Sequence, residues 1–325
     1  LLYFFILIYF FLFLFLLFSR SLKYLSMILI VFCYLFFVSR NIMMLYMFFE
    51  LSIFPILVII LGFGSQIEKI GSRYYLLFYT TFCSLPFLYV YFKRVFYFTH
   101  VEAPTTARIL LAGLLLKLGT AGFLRILGSI NFSYNNFWLF LSLLGIVLSA
   151  FRCLFQRDSK SLAAYSSVTH IRFLLLAIRV LFIRGKVARI LMILAHGYTS
   201  TLMFYLIGEF FHVRSRRIMY FLNGLLGSSI IYGLVFFLVF LSNRGVPPSL
   251  SFFSEFIIIV NAILLSKIFF LLVLVYFIVS FYYSVYLIVC CSMGGKFLSL
   301  LNFKVGYGVP VVIIMFNVFW LSLIY

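Results

Sequence analysis

Apolar runs long enough to cross a membrane follow one another along almost the whole chain, and they constrain the fold most. Residues 22–38, 42–61 and 187–211 are examples. A helix needs about 20 mainly apolar residues to cross a hydrocarbon core that is about 30 Å thick. Runs such as residues 271–278 do not alternate between apolar and polar side chains, so a transmembrane β-barrel is excluded. The pattern predicts an all-α polytopic membrane protein with an antiporter-like helix bundle.

We count about twelve candidate spans, which together predict one membrane domain over residues 1–325. Pro55 lies inside one span, just after Glu50, and should bend that helix because proline lacks the N–H that a helix needs. Residues 156–160 are polar and predict a loop before the next span. The two prolines at 247 and 248 precede Glu255. They predict a discontinuous helix whose backbone polar groups line a wet cavity.

Composition excludes several classes of function. The chain is 66% hydrophobic and only 10% charged, far from the composition of a soluble domain. A formal charge of +19 would suggest nucleic-acid binding in a soluble protein, but here many basic residues interrupt apolar helices. No continuous basic groove results, so a nucleic-acid partner is not expected. The five cysteines form no Cys-x-x-Cys pair, and we expect no metal or iron–sulfur site.

Lys117 stands near the middle of the apolar run at residues 106–126. At a rise of about 1.5 Å per residue it lies roughly 16 Å from the start of that helix, close to the bilayer midplane. A lysine at this depth is costly and needs water, a partner or a task. Gly113 and Ala121, one turn to either side, would let another helix approach closely. Carrying a proton is the most economical explanation for this lysine.

Other ionisable residues fall inside predicted spans at comparable depth. The candidate proton-relay residues are Glu50, Lys117, His170, His196 and Glu255. A lateral proton relay requires such groups on different helices, because each transfer needs a titratable group or water within hydrogen-bond reach. The sequence shows no phosphate loop, nucleophilic triad, haem ligation or zinc pattern. Covalent or redox chemistry within this chain is therefore not supported.

Structural explanations remain open for each of these residues. Lys117 and Glu50 could form a static ion pair that fixes helix packing. Glu255 could only cap the broken helix. Each histidine could be a hydrogen-bonded interhelical side chain with no part in proton transfer.

Five motifs resemble one family. They are His-Val-Glu-Ala-Pro-Thr-Thr-Ala at 100–107, Leu-Leu-Leu-Lys-Leu-Gly at 114–119, Ser-Leu-Ala-Ala-Tyr-Ser-Ser-Val-Thr-His at 161–170, Leu-Ala-His-Gly-Tyr-Thr-Ser at 194–200, and Gly-Val-Pro-Pro-Ser-Leu-Ser-Phe-Phe-Ser-Glu-Phe at 245–256. From about residue 41 onward the chain resembles the chain 4 family of mitochondrial NADH–ubiquinone oxidoreductase, of invertebrate type. That family is one of the antiporter-like subunits of the membrane arm of respiratory complex I.

The resemblance implies proton translocation across the membrane, driven by quinone reduction in a distant part of the complex. Glu50, in Phe-Glu-Leu-Ser, matches the family's membrane glutamate. Lys117 matches a lysine of its central hydrophilic axis, and Glu255 matches the acid on its late broken helix. His170 and His196 match the histidines between those sites.

Location, partners and cofactors also follow from the resemblance. It implies a multi-pass protein of the mitochondrial inner membrane that contacts the antiporter-like chains 2 and 5 and lipids. NADH, FMN, the iron–sulfur clusters and ubiquinone would be bound by other subunits, and this chain would hold no cofactor. Two alternatives remain: a stand-alone cation/proton antiporter and a scaffold subunit that moves no protons. Purification of the protein by itself would favour the antiporter, whereas purification within a large assembly would favour the complex I subunit. Intact proton pumping after neutralisation of Lys117 would favour the scaffold.

We predict that many of the arginines are serines in the native protein. The chain has 25 basic residues against six acidic ones. Arg172, Arg179, Arg184 and Arg189 occupy a stretch without any acid, although an arginine near a helix centre costs about 2.5–3.5 kcal/mol on insertion scales. The family tends to have serine at several arginine positions, and invertebrate mitochondria read AGA and AGG as serine. Sequencing the encoding DNA checks this; CGN codons at these positions would contradict it.

We also predict a missing helix between Thr99 and His100, and missing residues at the N-terminus. The family places another lysine-bearing helix and a Trp-Leu-Pro-Lys-Ala stretch just before the His-Val-Glu-Ala-Pro motif. Invertebrate mitochondria read TGA as tryptophan, and this chain keeps only two tryptophans. The DNA between the two codons should therefore be coding and contain TGA. An uninterrupted Thr-His junction in organellar DNA would show that the helix is truly absent.

Overall fold

The computed structural model describes residues 20–39, 42–63, 109–127, 135–179, 183–214, 219, 224, 230–265, 267–292 and 308–318. The predicted spans at residues 1–18 and 73–92 lie outside this part of the chain. The chain folds into two compact units, Leu1–Phe132 and Ser133–Tyr325. A single membrane domain over residues 1–325 stays a prediction.

The described helices of the first unit are α1 (Arg20–Val38), α2 (Ile42–Phe63), and a π-helix (Leu111–Leu115) that continues directly as α3 (Leu116–Leu127). α2 packs against both α1 and α3. Gly122 lets α3 pass close to α1, because a Cβ there would lie 3.0 Å from Cζ of Phe36. α2 continues through Pro55 to Phe63, so the proline does not end this helix.

The second unit is built around one long helix. Its described helices are α4 (Asn135–Leu154), α5 (Ser159–Arg179), α6 (Ile183–Arg214), α7 (Ile230–Asn243), α8 (Leu250–Leu265), α9 (Lys267–Ser292) and α10 (Gly308–Val318). α6 packs against α5, α7, α8 and α10, while α4 packs against α5 and α9. The candidate residues His170, His196 and Glu255 all belong to helices of this packed group.

The described helices combine a buried core with an apolar outer surface. Many large apolar side chains are exposed: Phe54 is 67% exposed, Ile230 68% and Leu271 61%. Serine, threonine, histidine and some charged side chains are buried alongside the apolar core. Exposed apolar surface on this scale would promote aggregation in water, whereas in a bilayer it faces lipid. The distribution therefore fits a membrane-embedded bundle.

Two stretches of the described helices are long and apolar enough to cross a membrane, Val187–Phe211 in α6 and Phe269–Ser292 in α9. Shorter apolar helices include Leu22–Val38 and Phe140–Leu154. The stretch in α6 is almost wholly buried, which agrees with its central place in the second unit. The predicted helical architecture is confirmed, while the count of about twelve spans also depends on residues outside the described part.

The predicted discontinuous helix is present between α7 and α8. α7 ends at Asn243 and α8 begins at Leu250. Gly245 has φ of 66° and its N–H donates to the carbonyl of Ser242 at 3.2 Å. The N–H of Val246 reaches the carbonyl of Leu241 at 3.4 Å. This pair of bonds around a left-handed glycine is a Schellman motif, which satisfies the last carbonyls of a helix.

Serine side chains hold the two sides of the break together. The hydroxyl of Ser251, in the first turn of α8, donates to the carbonyl of Ser242 in the last turn of α7. The hydroxyls of Ser249 and Ser251 lie 2.9 Å apart, and the Ser249 hydroxyl also donates to the carbonyl of Val246 at 2.8 Å. Backbone carbonyls at the break thereby have hydrogen-bond donors, as a membrane interior requires. The predicted wet cavity at the break stays a prediction.

The sequence interpretation of Lys160 as part of a polar loop was wrong. α5 begins at Ser159, and both Ser159 and Lys160 are buried. The carbonyl of Asp158 accepts a bond from the N–H of Leu162 at 3.0 Å, which starts the helix. A polar composition marked this turn as a loop. The lysine packs against α6, and this tertiary contact, rather than the polar composition, decides the local structure.

The structure describes the side chains of two of the arginines that we predict to be serine in the native protein. Arg172 is buried on α5, and its guanidinium donates to the carbonyl of Gly145 on α4. Arg189 is buried on α6, and its Nε donates to the carbonyl of Gly185 at 3.0 Å. The side chains of Arg179 and Arg184 lie outside the described residues. Whether these positions are arginine or serine in the native protein stays a prediction.

Candidate proton-transfer site

Three helices of the second unit each bring one ionisable side chain into its interior. His170 comes from α5, His196 from α6 and Glu255 from α8. Because α6 packs against both α5 and α8, it draws the other two helices together. All three side chains are buried. Three of the five predicted relay residues therefore share one site.

His170 lies in the middle of this cluster. Its Nδ1 is 3.4 Å from Oε1 of Glu255, and its ring centroid is 5.3 Å from that of His196. Within the described residues, neither ring nitrogen of His170 has a hydrogen-bond partner. The Oε1 atom of Glu255 also lacks one there. The groups are close but not locked in a fixed hydrogen bond. A small rotation of either side chain would complete a hydrogen bond between His170 and Glu255, the contact that proton transfer needs.

The hydroxyl groups beside the histidines bond mainly to their own helices. Ser166 donates to the carbonyl of Ala163 at 2.8 Å, and Ser167 to that of Ala164 at 2.7 Å. On α6, Thr199 lies 3.5 Å from the carbonyl of His196. Such bonds to the preceding turn satisfy a hydroxyl without an interhelical partner. These hydroxyls therefore have partners on their own helices.

The carboxylate of Glu255 lies directly against the break between α7 and α8. A Cβ at Gly245 would be 2.6 Å from Oε2 and 3.1 Å from Cδ of Glu255. Beside it, the hydroxyl of Ser254 is 3.2 Å from the sulfur of Met192 on α6. Glu255 thus contacts the helix break with one oxygen and faces His170 with the other. A role restricted to capping the break does not explain the second contact.

Lys117 and Glu50 belong to the first unit. Lys117 is 2% exposed, and its Nζ donates to the carbonyl of Ala112 at 2.5 Å. That carbonyl lies within the π-helix, a form that often occurs at functional sites. Glu50 is half-buried on α2, and its Oε1 is buried without a hydrogen-bond partner. Both acid and lysine are therefore inside helices, as predicted.

Sequence reasoning missed Arg244, which comes directly before Gly245. The residue is 8% exposed, and its guanidinium carbon lies 3.7 Å from the centre of the Tyr283 ring on α9. A cation over an aromatic face is stabilised by the ring's negative face. The sequence analysis interpreted this segment only as a helix break and gave Arg244 no role. The signal that could have identified it is a charge next to a helix break in an otherwise apolar segment.

Comparison with known proteins identifies the family. The family model described as NADH:quinone oxidoreductase/Mrp antiporter, TM, matches residues 96–280. A protein from Caenorhabditis elegans named NADH-ubiquinone oxidoreductase chain 4 is 51% identical over 321 residues, covering 88% of this chain and 78% of the relative. The chain belongs to the NADH–ubiquinone oxidoreductase chain 4 family. The chain 4 protein of Ascaris suum is 48% identical, covering 89% of this chain and 79% of the relative.

The alignment lengths indicate an internal difference from these relatives. The alignment with the Caenorhabditis elegans chain extends over 321 positions, yet it contains only 88% of this 325-residue chain. The relative therefore has residues inside the aligned region that this chain lacks. A missing helix between Thr99 and His100 stays a prediction.

A solved structure shows the same fold. One chain of respiratory complex I from Thermus thermophilus with bound NADH superposes with a TM-score of 0.74 at 16% identity. The superposition covers 92% of this chain and 74% of that one. The predicted all-α polytopic membrane fold and the predicted family are both confirmed. This member of the chain 4 family is a membrane subunit of a multi-subunit respiratory oxidoreductase.

The contact between His170 and Glu255 predicts non-additive effects of mutation. We expect His170→Gln and Glu255→Gln each to reduce proton pumping by the intact complex, because each removes one titratable partner. The double variant should pump about as well as the worse single variant, since the two groups act through one shared contact. Proton pumping per NADH oxidised, measured in proteoliposomes, is the readout.

Ser166→Ala is the matched control, because the Ser166 hydroxyl bonds to its own helix. It should pump as the unmodified complex does. Independent, additive losses from the two site variants would show that His170 and Glu255 do not act as a pair.

Proposed function

We propose that this chain translocates protons as a membrane-arm subunit of NADH:ubiquinone oxidoreductase, and that Glu50, Lys117, His170, His196 and Glu255 carry them. The single observation that supports the residue assignment best is the cluster of Glu255, His170 and His196. Burying ionisable side chains on three helices is expensive in a membrane protein. Such groups persist there chiefly where they bind or move charge.

The cluster is suited to a proton transfer that needs no other reactant. A proton on the carboxyl of Glu255 moves to the imidazole of His170, which leaves a carboxylate beside an imidazolium. The new opposite charges, 3.4 Å apart, attract each other strongly in a low-dielectric interior. Transfer from His170 to His196 then needs only the 5.3 Å between the ring centroids to be bridged. Each step is reversible, so the direction depends on what supplies and removes protons.

Lys117 supplies a different kind of group. As an ammonium ion it donates to the carbonyl of Ala112, which stabilises the charge but cannot accept the proton. As a neutral amine it could receive a proton from a passing donor. Glu50 offers a buried carboxylate oxygen in the same unit. We propose that the two alternate between charged and neutral forms during each pumping cycle.

The remaining assignments follow from family membership. We propose that NADH, FMN, the iron–sulfur clusters and ubiquinone bind to other subunits and that this chain holds no cofactor. Among the residues that the structure describes, no group of histidine, cysteine, aspartate and glutamate side chains could hold a metal ion. Neighbours would be the antiporter-like chains 2 and 5 and lipids, in the mitochondrial inner membrane. The names of the two nematode relatives favour an assembled subunit over a stand-alone antiporter.

Replacement of Lys117 tests the proposed function. Lys117→Ala should sharply reduce proton pumping by the intact complex while assembly stays largely normal. Lys117→Arg should fail as well, because arginine keeps its proton at physiological pH. The measurement is the ratio of protons pumped to NADH oxidised, together with the amount of assembled complex on native gels.

Lys23→Arg on α1 is the control, since Lys23 is only half-buried and near a helix start. Full pumping by the Lys117→Ala complex would contradict the relay and favour the scaffold alternative. Failure to assemble in the alanine variant alone, with normal assembly and pumping in the arginine variant, would assign Lys117 a structural charge.

A further inference from the structure

A tyrosine on α9 reaches the cluster from a fourth helix. Tyr276 is 1% exposed, and the centre of its ring lies 4.6 Å from that of Phe173 on α5. Phe173 stands one turn after His170 on the same helix. The ring of Phe277 is 6.2 Å from Phe173 and 5.3 Å from Tyr276. The packing of these rings holds the Tyr276 side chain beside the site.

The Tyr276 hydroxyl is hydrogen bonded to the side chain of Thr169, the residue directly before His170. The Thr169 hydroxyl already donates its single hydrogen to the carbonyl of Ser166 at 2.6 Å. Its oxygen is therefore the acceptor for Tyr276, and the tyrosine is the donor. A hydroxyl can turn about its C–O bond while the ring stays in place, so this donor is not tied to one acceptor.

Glu255 is the second group with which Tyr276 interacts, and this interaction is electrostatic. Oε1 of Glu255 lies 3.4 Å from Nδ1 of His170 and has no hydrogen-bond partner among the described residues. A buried carboxylate needs hydrogen-bond donors, because an ionised group without them is costly in an apolar interior. Release of a proton from Glu255 therefore calls for a donor at its oxygens.

We propose that Tyr276 is a positioning residue of the relay, whose hydroxyl turns from Thr169 to Glu255 as the proton leaves the carboxyl group. The proton moves from Glu255 to Nδ1 of His170, so Glu255 becomes a carboxylate and His170 an imidazolium. Tyr276 keeps its own proton and donates a hydrogen bond to that carboxylate. When Glu255 is protonated again, the hydroxyl turns back to Thr169. This inference rests on the proposed function, because it requires Glu255 to release a proton.

The competing explanation is that the Tyr276 hydroxyl only joins α9 to α5 through Thr169. Two variants separate the explanations, because both break that bond but only one removes the donor. Tyr276→Phe loses the hydroxyl and keeps the ring that packs against Phe173. Thr169→Val loses the acceptor and leaves the tyrosine free to donate to Glu255. We expect Tyr276→Phe complexes to assemble but pump more slowly, and Thr169→Val complexes to pump as the unmodified complex does.

The readout is the rate of proton pumping in proteoliposomes over a range of pH, relative to NADH oxidation by the uncoupled complex. As the pH is lowered, pumping by Tyr276→Phe should begin to fall about one pH unit earlier than in the unmodified complex, because a carboxylate without this donor is harder to form. On that falling limb the rate should be about tenfold lower. Tyr282→Phe, at an exposed position of α9, is the matched control for loss of a tyrosine hydroxyl.

Other titratable or charged side chains surround Tyr276 and Glu255, and all of them stay unchanged in both variants. In the described part of the chain they are Cys153 of α4, His170 of α5, His196 of α6, Arg244 directly after α7, and Tyr283 of α9. A difference in pH profile between Tyr276→Phe and Thr169→Val therefore reports on the tyrosine donor.

An unchanged pH profile in Tyr276→Phe, or equal shifts in the two variants, would overturn the proposal and leave the hydroxyl as a link between α5 and α9. Loss of assembly in Tyr276→Phe would overturn it as well, because the ring packing alone should hold the helices. Glu255→Gln belongs in the same experiment. If Glu255→Gln pumps normally, the proposed relay itself is wrong. If it fails while Tyr276→Phe keeps the unmodified profile, the relay stands and only the role of Tyr276 is rejected.

Discussion

The cost of placing an ionisable group in an apolar interior governs the organisation of this protein. Such a group must be paired, hydrated or held neutral, because isolated burial of a charge is prohibitive. Each of the buried candidates meets this condition in its own way. Lys117 uses a backbone carbonyl, Lys160 an aromatic face, and Glu255 and His170 use each other.

Helix breaks and close helix packing are the means by which these contacts are made. Gly245 ends α7 in a left-handed conformation and at the same time leaves room for the carboxylate of Glu255. α6 packs against α5 and α8, which also contact each other directly, and this packing determines how far apart His170 and Glu255 lie. The backbone conformation at Gly245 and the packing of the helices thus together determine the distance between Glu255 and His170.

Much of the helical architecture could be predicted from the sequence, because apolar runs, prolines and glycines act locally. The depth of Lys117, His170, His196 and Glu255 followed from counting residues along each span. The contacts among His170, His196 and Glu255 did not, since depth does not determine which way a side chain points around a helix. The burial of Lys160 was missed for a related reason: its partner is Phe211, about fifty positions away in the sequence, and composition marked its turn as polar.

The length of α6 has an electrical consequence. It has 32 residues, so it is about 48 Å long and extends beyond a hydrocarbon core of about 30 Å. His196 lies within about 4 Å of its midpoint, a depth at which roughly half the transmembrane voltage falls on either side. A full crossing at 100 mV involves about 2.3 kcal/mol per elementary charge. If His196 carries protons as proposed, a stop there divides this work into two steps of about 1.2 kcal/mol, so neither half of the path carries the whole electrical barrier.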